Sequence, residues 1–572
     1  MRSSTVAAAL VVAGALVSSR ALADDWWSTS SYLGGSAGGA VPSAAVLSDG
    51  TVVLAALIGD SAPGGKAPTL LNGATASSSG AIVRLSADGR EVLSVTRVAE
   101  EVREVVVDAS DSIYVAALGG GLLKLSADGS QLLWKKADGG VCFRVDADEN
   151  GEVAALYDIS GVPTAVTAAK GAPATVFVYD ALGAPLGNFS VKRGDGGAND
   201  LTLDSAQKTV FVGGYKNTSQ SGGLSVPFMN AYGYAGGAPK WTDYDYAYAD
   251  VFASSDVADS FISRLHFGPD GRLYALGYEA GGNTVWRRDP KDLSKMAALD
   301  AIDEYNDGAR MGGPANRGFY GRFDPGDGSF QGGALYQAVN PDKTVAYNKS
   351  GLFLETAEGD IKADALGWAY IVTSKNGKVL PYTFDPLGLL TADGGNGANG
   401  AGLTILAPDL KSRLYVTSFV NTSPGGRGQS VAVRQIAGQP GQSIVYGGRM
   451  NFDPAAGEVF LKAPIQPQRA GTACGWFGVT NDAPFPGKPT GGPTTGATGG
   501  GGSSTSTSNA AGSGGSGAGG AGGTSSGSGA TDASSGCSCR VEGTSEPSAP
   551  IAWSVLTGLG LAATRRRRTR AT

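Results

Sequence analysis

Val107-Asp108-Ala109-Ser110-Asp111-Ser112-Ile113-Tyr114-Val115-Ala116-Ala117 decides how this chain is read. An apolar run ends, a polar turn rich in Asp and Ser follows, and an apolar-aromatic run then closes on small residues. Two short runs of this kind around a turn form a hairpin of antiparallel strands. The same unit stands earlier as Val46-Leu47-Ser48-Asp49-Gly50-Thr51-Val52-Val53-Leu54-Ala55-Ala56. Further copies occupy Asp146 to Ala155, Asp204 to Gly214, Phe267 to Gly277, Asp364 to Thr373 and Pro408 to Ser418, seven in all.

Most copies are followed by a second hairpin. Arg84-Leu85-Ser86-Ala87-Asp88-Gly89 and Lys124-Leu125-Ser126-Ala127-Asp128-Gly129 are nearly identical, and Val178 to Gly183 and Thr383 to Gly388 echo them. Asp-Gly and Leu-Gly supply tight turns, because glycine takes positive φ without a Cβ clash. Phe319 to Pro325 and Arg449 to Pro454 read as outer hairpins of late units. Two hairpins per unit give four short antiparallel strands, and seven such units predict an all-β, seven-bladed β-propeller. Tandem β-sandwiches and a β-solenoid are the alternatives. The Asp-x-x-Gly-x-Ile-Tyr-Val logic resembles the propeller repeat of bacterial surface proteins (SBBP type) and the NHL repeat. Segments such as Pro227 to Tyr232, Lys240 to Asp245, Gly281 to Pro290 and Tyr305 to Asp307 are similar to a family of exported propeller proteins of planctomycetes and myxobacteria. That resemblance implies fold and location and no activity.

The two ends of the chain carry addresses. Met1-Arg2, an apolar stretch from Val6 to Val17 and Ala21-Leu22-Ala23 form a signal peptide over 1–23, with cleavage expected after Ala23. The propeller is expected over 24–486. Residues 487–536 are almost entirely Gly, Ser, Thr and Ala, a composition that cannot bury a core. As a disordered tether it would span roughly 40 Å root-mean-square. Residues 537–572 hold Cys537 and Cys539, an apolar run that predicts a short transmembrane helix over 549–564, and an arginine cluster over 565–570 that includes Arg565, Arg566, Arg567 and Arg568. The fifteen apolar residues from Ala549 to Ala563 rise only about 22 Å as a helix against a hydrocarbon core of about 30 Å, so Thr564 and snorkelling arginines would have to extend it. Clustered arginine marks the cytoplasmic side. Cysteine pair, helix and arginine cluster resemble in that order the MYXO-CTERM sorting tail of myxobacterial surface proteins. The resemblance implies processing near the cysteines by a C-terminal processing machinery, after export, and display on the outer envelope of a Gram-negative cell.

Composition sets further bounds. The chain has 572 residues, 90 of them glycine, and a net charge of −6. With no basic run between the two ends, nucleic acid is excluded as a natural partner. Four cysteines are too few for a disulfide scaffold. Cys142 and Cys474 are the candidates for one bridge in an oxidising compartment, or two buried thiols.

Histidine constrains the chemistry most. The single residue, His266, excludes a multi-histidine metal site, and a Ser-His-Asp triad would have to use it as base. Asp146-x-Asp148-x-Asn150-Gly151-Glu152 matches the first half of a Ca²⁺ loop, but Tyr157 stands where the bidentate Glu would be. Asp146, Asp148, Asn150 and Glu152 are therefore candidate Ca²⁺ ligands, against an ordinary polar turn.

Two insertions, near 241–259 and 300–322, interrupt the repeat. They carry Asp243, Tyr244, Asp245 and Tyr248, and Asp303, Glu304, Tyr305, Asp307, Arg310 and Arg317. Aromatic faces beside carboxylates suit sugar C–H surfaces and hydroxyls. The expectation is a surface-anchored binding module for a glycan, matrix polymer or protein, ahead of a carbohydrate-active enzyme using the loop carboxylates or a purely structural envelope protein. No catalytic residue is assigned.

Overall fold

The computed structural model describes residues 27–480, except 37, 138–139, 159–173, 192–195, 218–224, 245–258, 281–284, 297–315, 336–351, 354–358, 376–399, 411–412, 419–425, 438, 440–441, 452–460 and 472. The signal segment with Ala23, and everything beyond 480 including Cys537, Cys539 and Arg565 to Arg568, lie outside the described residues. Among those described, no helix is long and apolar enough to cross a membrane.

The described strands build seven four-stranded antiparallel blades. Taken from the axis outward, blade 1 is Ala40–Val46, Val52–Leu57, Gly80–Leu85 and Val92–Ala99, and blade 2 is Glu101–Val107, Ile113–Leu118, Gly121–Leu125 and Leu132–Lys136. Blade 3 is Val141–Ala147, Val153–Asp158, Ala174–Tyr179 and Pro185–Val191; blade 4 is Gly197–Asp204, Thr209–Asn217, Ser225–Gly233 and Trp241–Asp243. Blade 5 is Ser260–Phe267, Leu273–Ala280, Asn316–Phe323 and Phe330–Leu335, and blade 6 is Asp360–Ala363, Ala369–Lys375, Gly400–Leu406 and Arg413–Ser418. Blade 7 takes Gly426–Gln435, Gln442–Asn451 and Ala473–Thr480 from the C-terminal side and Trp27–Leu33 from the N-terminal side. Each inner strand touches the next, and blade 7 touches blade 1, so the ring is closed.

The repeat reads directly onto the inner hairpins of blades 1 to 6. In each turn an Asp accepts backbone N–H groups two to four residues on, as Asp108 Oδ1 does from Ser112 (2.9 Å) and Asp364 Oδ1 from Trp368 (3.1 Å). Where the second strand begins with a tyrosine, that Asp also receives its hydroxyl: Tyr114 to Asp108 (3.0 Å), Tyr274 to Asp270 (2.7 Å) and Tyr370 to Asp364 (3.0 Å). Burial and the neighbouring carboxylate push all three phenols upward, so they stay donors. The Asp-Gly turns of the outer hairpins need Gly89 at φ 72° and Gly129 at φ 70°.

The seventh copy corrects the reading. Pro408 to Ser418 is the outer hairpin of blade 6, because its Asp-bearing turn looks like an inner one. The inner hairpin of blade 7 joins Gln435 to Gln442 and lacks the Asp-x-x-Gly turn. Arg449–Asn451 likewise belongs to the second strand of blade 7, whereas Phe319 to Pro325 does lead into the outer turn of blade 5. Thr383 to Gly388 lies outside the described residues.

Trp27–Leu33 closes the ring. All seven of its residues are buried. One edge pairs with Ala473–Thr480, from Trp27 opposite Thr480 to Leu33 opposite Gly475. The other edge is covered by the chain near Lys462, which exchanges backbone hydrogen bonds with Ser30 at 2.9 and 3.3 Å. Ser28 and Arg90 tie it to the outer turn of blade 1.

The two faces of the ring differ. Strands alternate in direction, so first-to-second and third-to-fourth turns share one face. They are short: 47–51, 108–112, 148–152, 268–272, 86–91, 126–131 and 180–184, for example. Second-to-third connections share the other face and are long in every blade but the second and fourth: 58–79, 159–173, 281–315, 376–399 and 452–472. Trp27 and Thr480, the two ends of the described chain, sit opposite each other on the short-turn face.

Truncating a buried closing residue should therefore cost far more than truncating a rim residue. Trp27→Ala, at a position 0% exposed, is expected to lower stability by about 3–5 kcal/mol. Leu182→Ala, 87% exposed, should stay within about 0.5 kcal/mol of the parent. Denaturant midpoints of the two variants check this, and equal midpoints would reject closure by this strand.

Candidate functional site at the propeller axis

An inner strand has no strand beside it on the axis side, so the N–H and C=O groups on that edge need other partners. The structure supplies them from one position in every blade: Ser43, Glu104, Arg144, Asp200, Arg264, Asp360 and Ser430. Each stands at the same register on its strand, opposite Ala55, Ala116, Leu156, Gly213, Leu276, Val372 and Gly447 in turn. In six blades the pairing register shifts just before it, between Val102 and Glu104 for instance, and such a bulge re-aims the side chain that follows.

Six of these side chains reach forward to the next blade, while Arg264 donates to Ser263 O on its own strand at 3.2 Å. Ser43 Oγ donates to Val105 O (3.2 Å) and accepts from Val105 N (3.1 Å). Glu104 Oε2 accepts from Val145 N at 2.7 Å, and Arg144 Nε donates to Asn199 O at 3.0 Å. Asp200 Oδ2 accepts from Leu265 N (2.7 Å), and Asp360 Oδ2 from Val431 N (3.0 Å). Ser430 Oγ donates to Val41 O (3.1 Å) and brings the belt back to blade 1. Acceptors take an N–H and the arginine takes a C=O, so the residue type follows the backbone group on offer.

Two residues further along lies a second layer. Asp146 accepts Thr202 Oγ1 (2.6 Å) and Leu203 N (3.1 Å), and Thr202 accepts Phe267 N (2.9 Å). His266 and Lys362 hold the corresponding places in blades 5 and 6. Charges therefore crowd the axis side of blades 2 to 6. Arg144 Nε lies 3.3 Å from Asp200, and Lys362 Nζ 3.8 Å from Asp360.

The electrostatics follow from this crowding. Burial, and then the Asp200 charge, push Glu104 up to about 7 against the pull of Arg144, Arg264 and Lys362. Burial also raises Asp200 and Asp146. It lowers Arg144 to about 10, with Arg264 adding to the effect. Burial opposes charge on Lys362 too, but Asp360, Glu104, Asp146 and Asp200 outweigh it and hold the ammonium above its ordinary value. Burial and Lys362 keep His266 neutral, with its ring hydrogen-bonded to the Ala363 backbone and its Nε2 without a hydrogen-bond partner. A buried neutral His beside a lysine is a packed strand residue and not the base of a triad.

The residues singled out in the sequence fall elsewhere. Asp243 and Tyr244 are 0% and 1% exposed. Asp243 pairs with Lys291 Nζ at 2.8 Å, and Tyr244 packs edge-on against Trp286 with ring centroids 5.1 Å apart, so both belong to the interior. Asp245, Tyr248, Asp303, Glu304, Tyr305, Asp307 and Arg310 lie outside the described residues. Arg317 is in the third strand of blade 5, opposite Glu279.

The Ca²⁺ half-loop does not assemble. Asp146 turns to blade 4, while Asp148 accepts Glu152 N (2.7 Å), Asn150 Nδ2 (3.2 Å) and the Ser205 hydroxyl. Glu152 is taken by Lys208 and by Tyr234 Oη at 2.9 Å. Among the described residues no group of three or more His, Cys, Asp or Glu side chains is placed to hold a metal ion. The disulfide is corrected as well. Cys142 and Cys474 are both free and buried, one on the inner strand of blade 3 and the other in blade 7, and burial raises both thiols.

One cavity of about 710 Å³ opens on the long-connection face. It lies where the closing strand ends, between Leu33–Ser36, Asp60–Gly65 and Ile465–Gln468. Its walls are mostly small and polar residues with Leu33, Ile465 and the Asp60 carboxylate, and no aromatic ring.

No protein-family model matches the chain, and no curated protein matches it. Among solved structures it is similar to hydrazine synthase of Kuenenia stuttgartiensis, at 12% identity over 71% of this chain and 92% of that one, TM-score 0.38. It is also similar to the WD40 β-propeller domain of Doa1, at 10% identity over 79% and 96%, TM-score 0.39. The quinohemoprotein alcohol dehydrogenase of Comamonas testosteroni shares 11% identity over 79% and 76%, TM-score 0.39. Likenesses this distant carry no argument about the chemistry of the chain.

The raised Glu104 carboxyl has a signed consequence. Its folded value is about 7 against 4.5 for the free side chain, so across that interval the folded chain keeps a proton the unfolded chain has lost. Stability should therefore fall as pH rises from about 4.5 to about 7. Asp88, Asp108 and Asp128, held low by their turn hydrogen bonds, act only below that window. Glu104→Gln is expected to flatten part of the decline in a thermal-denaturation series from pH 4 to 8. An unchanged slope would remove Glu104 from the account.

Proposed function

We propose that this protein is an interaction module, exported and held at the cell surface by its C-terminal tail, that engages a glycan, matrix polymer or protein through one face of its propeller. The observation that carries this reading is the inequality of the two faces. Long connections on a rigid scaffold are where binding residues concentrate. Second-to-third connections lengthen on one face, while the opposite face keeps its short Asp-capped turns. Asp303, Glu304, Tyr305, Asp307 and Arg310 belong to the 281–315 connection. Asp245 and Tyr248 belong to the link from blade 4 to blade 5, which starts on the same side. The 710 Å³ cavity opens there too.

The chain ends favour display. Thr480 finishes its strand on the short-turn face, so the tether would begin opposite the long connections. The axis speaks against catalysis, because the belt carboxylates are committed to backbone N–H groups of neighbouring blades. A carboxylate bound in that way is not free to act as acid or nucleophile.

The test uses the full chain with a panel of extracellular polysaccharides, recording retention and polymer length together. Retention at unchanged length is expected. The triple variant D303N/E304Q/D307N should weaken it about tenfold, roughly the loss of one hydrogen bond to a charged group. Asp88→Asn and Asp128→Asn, on the opposite face, should leave it unchanged. Shortened polymer would replace the binding reading with a hydrolase, and equal loss from both sets of variants would reject the assignment of the face.

A further inference from the structure

The Asp243 carboxylate is the least compensated charge among the described residues. It ends the outer strand of blade 4 and is 0% exposed. Among the described residues its one polar partner is Lys291 Nζ at 2.8 Å, and neither oxygen accepts a further hydrogen bond. A Cβ built on Gly328, in the outer turn of blade 5, would stand 2.7 Å from Asp243 Oδ2 and 2.7 Å from Lys291 Nζ.

The cover over this carboxylate is a hairpin inserted into blade 5, Arg288–Asp289 paired with Asp292–Met296. Its turn touches blade 4 at three points. Lys291 Nζ lies over the Trp241 ring at 4.8 Å, Lys291 pairs with Asp243, and Tyr244 N donates to Pro290 O at 2.9 Å. At its base, Trp286 stacks on Phe319 with centroids 4.2 Å apart. Lifting the hairpin turn would return Asp243 to water. A single ammonium rarely repays the cost of burying a carboxylate that has no other hydrogen bond.

We propose that this hairpin is a proton-controlled clasp between blades 4 and 5, held closed when Asp243 is neutral and loosened when Asp243 ionises. The charged groups facing Asp243 are Lys291 and Asp289 from the hairpin and Asp327 from the outer turn of blade 5. Burial pushes the carboxyl up to about 7, Lys291 opposes this, and the charges of Asp289 and Asp327 add to it. Opening restores an ordinary carboxylate and releases a proton, so opening becomes easier as pH rises. The direction is the reverse of a simple salt-bridge latch, which would tighten on ionisation.

Hydrogen–deuterium exchange of the full chain tests this, with peptides covering 285–296 and rates corrected for intrinsic exchange. In the parent the opening equilibrium should rise about tenfold per pH unit between pH 5 and 6.5 and level off above 7. Asp243→Asn should exchange without that dependence. Lys291→Met, which removes the only counter-charge, should keep the dependence and move its midpoint upward. A parent profile flat in pH, a profile falling with pH, or an Asp243→Asn variant that keeps the parent slope would each overturn the clasp. Because the parent alone gives a decisive profile, a variant that fails to fold does not remove the test.

Discussion

The structure depends on how seven unpaired strand edges are satisfied around one axis. In a single sheet only two edges are exposed, but a ring of blades brings seven together where no further strand fits. This protein fills the gap with side chains. A serine, carboxylate or guanidinium at one register of six of the seven inner strands bonds the backbone of the following blade. Every such bond joins two blades, so the belt fixes their angular spacing as well as satisfying polar groups. Desolvation is the cost, visible in the raised carboxyls of Glu104, Asp200 and Asp146 and the lowered Arg144. Mutual compensation among these charges keeps that cost bearable.

The serines are informative here. Ser43 and Ser430 stand in blades 1 and 7, beside the seam where the chain ends meet. Charged members occupy blades 2 to 6. A neutral hydroxyl gives a weaker but cheaper bond than a carboxylate, so the seam closes without a further buried charge. Its strength comes instead from Trp27–Leu33, wholly buried and bonded on both edges. The outer turns then lock neighbouring blades, as Lys124 Nζ and Trp134 Nε1 of blade 2 do on Ala181 O of blade 3.

Much of this was legible in the sequence. The Asp-turn hairpin gave the fold class and six of the seven inner hairpins, because turn chemistry is local and repeats; the count reached seven only through an outer hairpin of blade 6. The seventh was misplaced because Pro408 to Ser418 has the same local chemistry in an outer position, and local chemistry does not say which edge faces the axis. The closing strand was missed for a related reason: Trp-Ser-Thr-Ser-Ser-Tyr-Leu becomes a blade strand only through a partner more than four hundred residues away. The belt did leave a signal. A charged residue stands four positions before the turn Asp in blades 2, 3, 4 and 6, at Glu104, Arg144, Asp200 and Asp360. Reading that residue as strand polarity hid it. Asp243 and Tyr244 looked like loop residues because the sequence from Trp241 onward departs from the repeat, yet packing against Trp286 and Lys291 draws them inside.

The closing strand also governs when the molecule can exist. Trp27–Leu33 precedes every other described strand and pairs with Ala473–Thr480, which follows them all. Until the latter emerges, blade 7 has only two strands in hand and the N-terminal strand has no partner. Loop-closure entropy grows only logarithmically with length, so joining such distant segments is thermodynamically modest. Kinetically it is the slowest kind of contact, and it leaves sheet edges open to foreign pairing while it waits. Completion of the ring is thus a length check: a chain cut short anywhere before residue 473 keeps an open seam, and a protease or chaperone can distinguish it from the finished molecule by that seam alone.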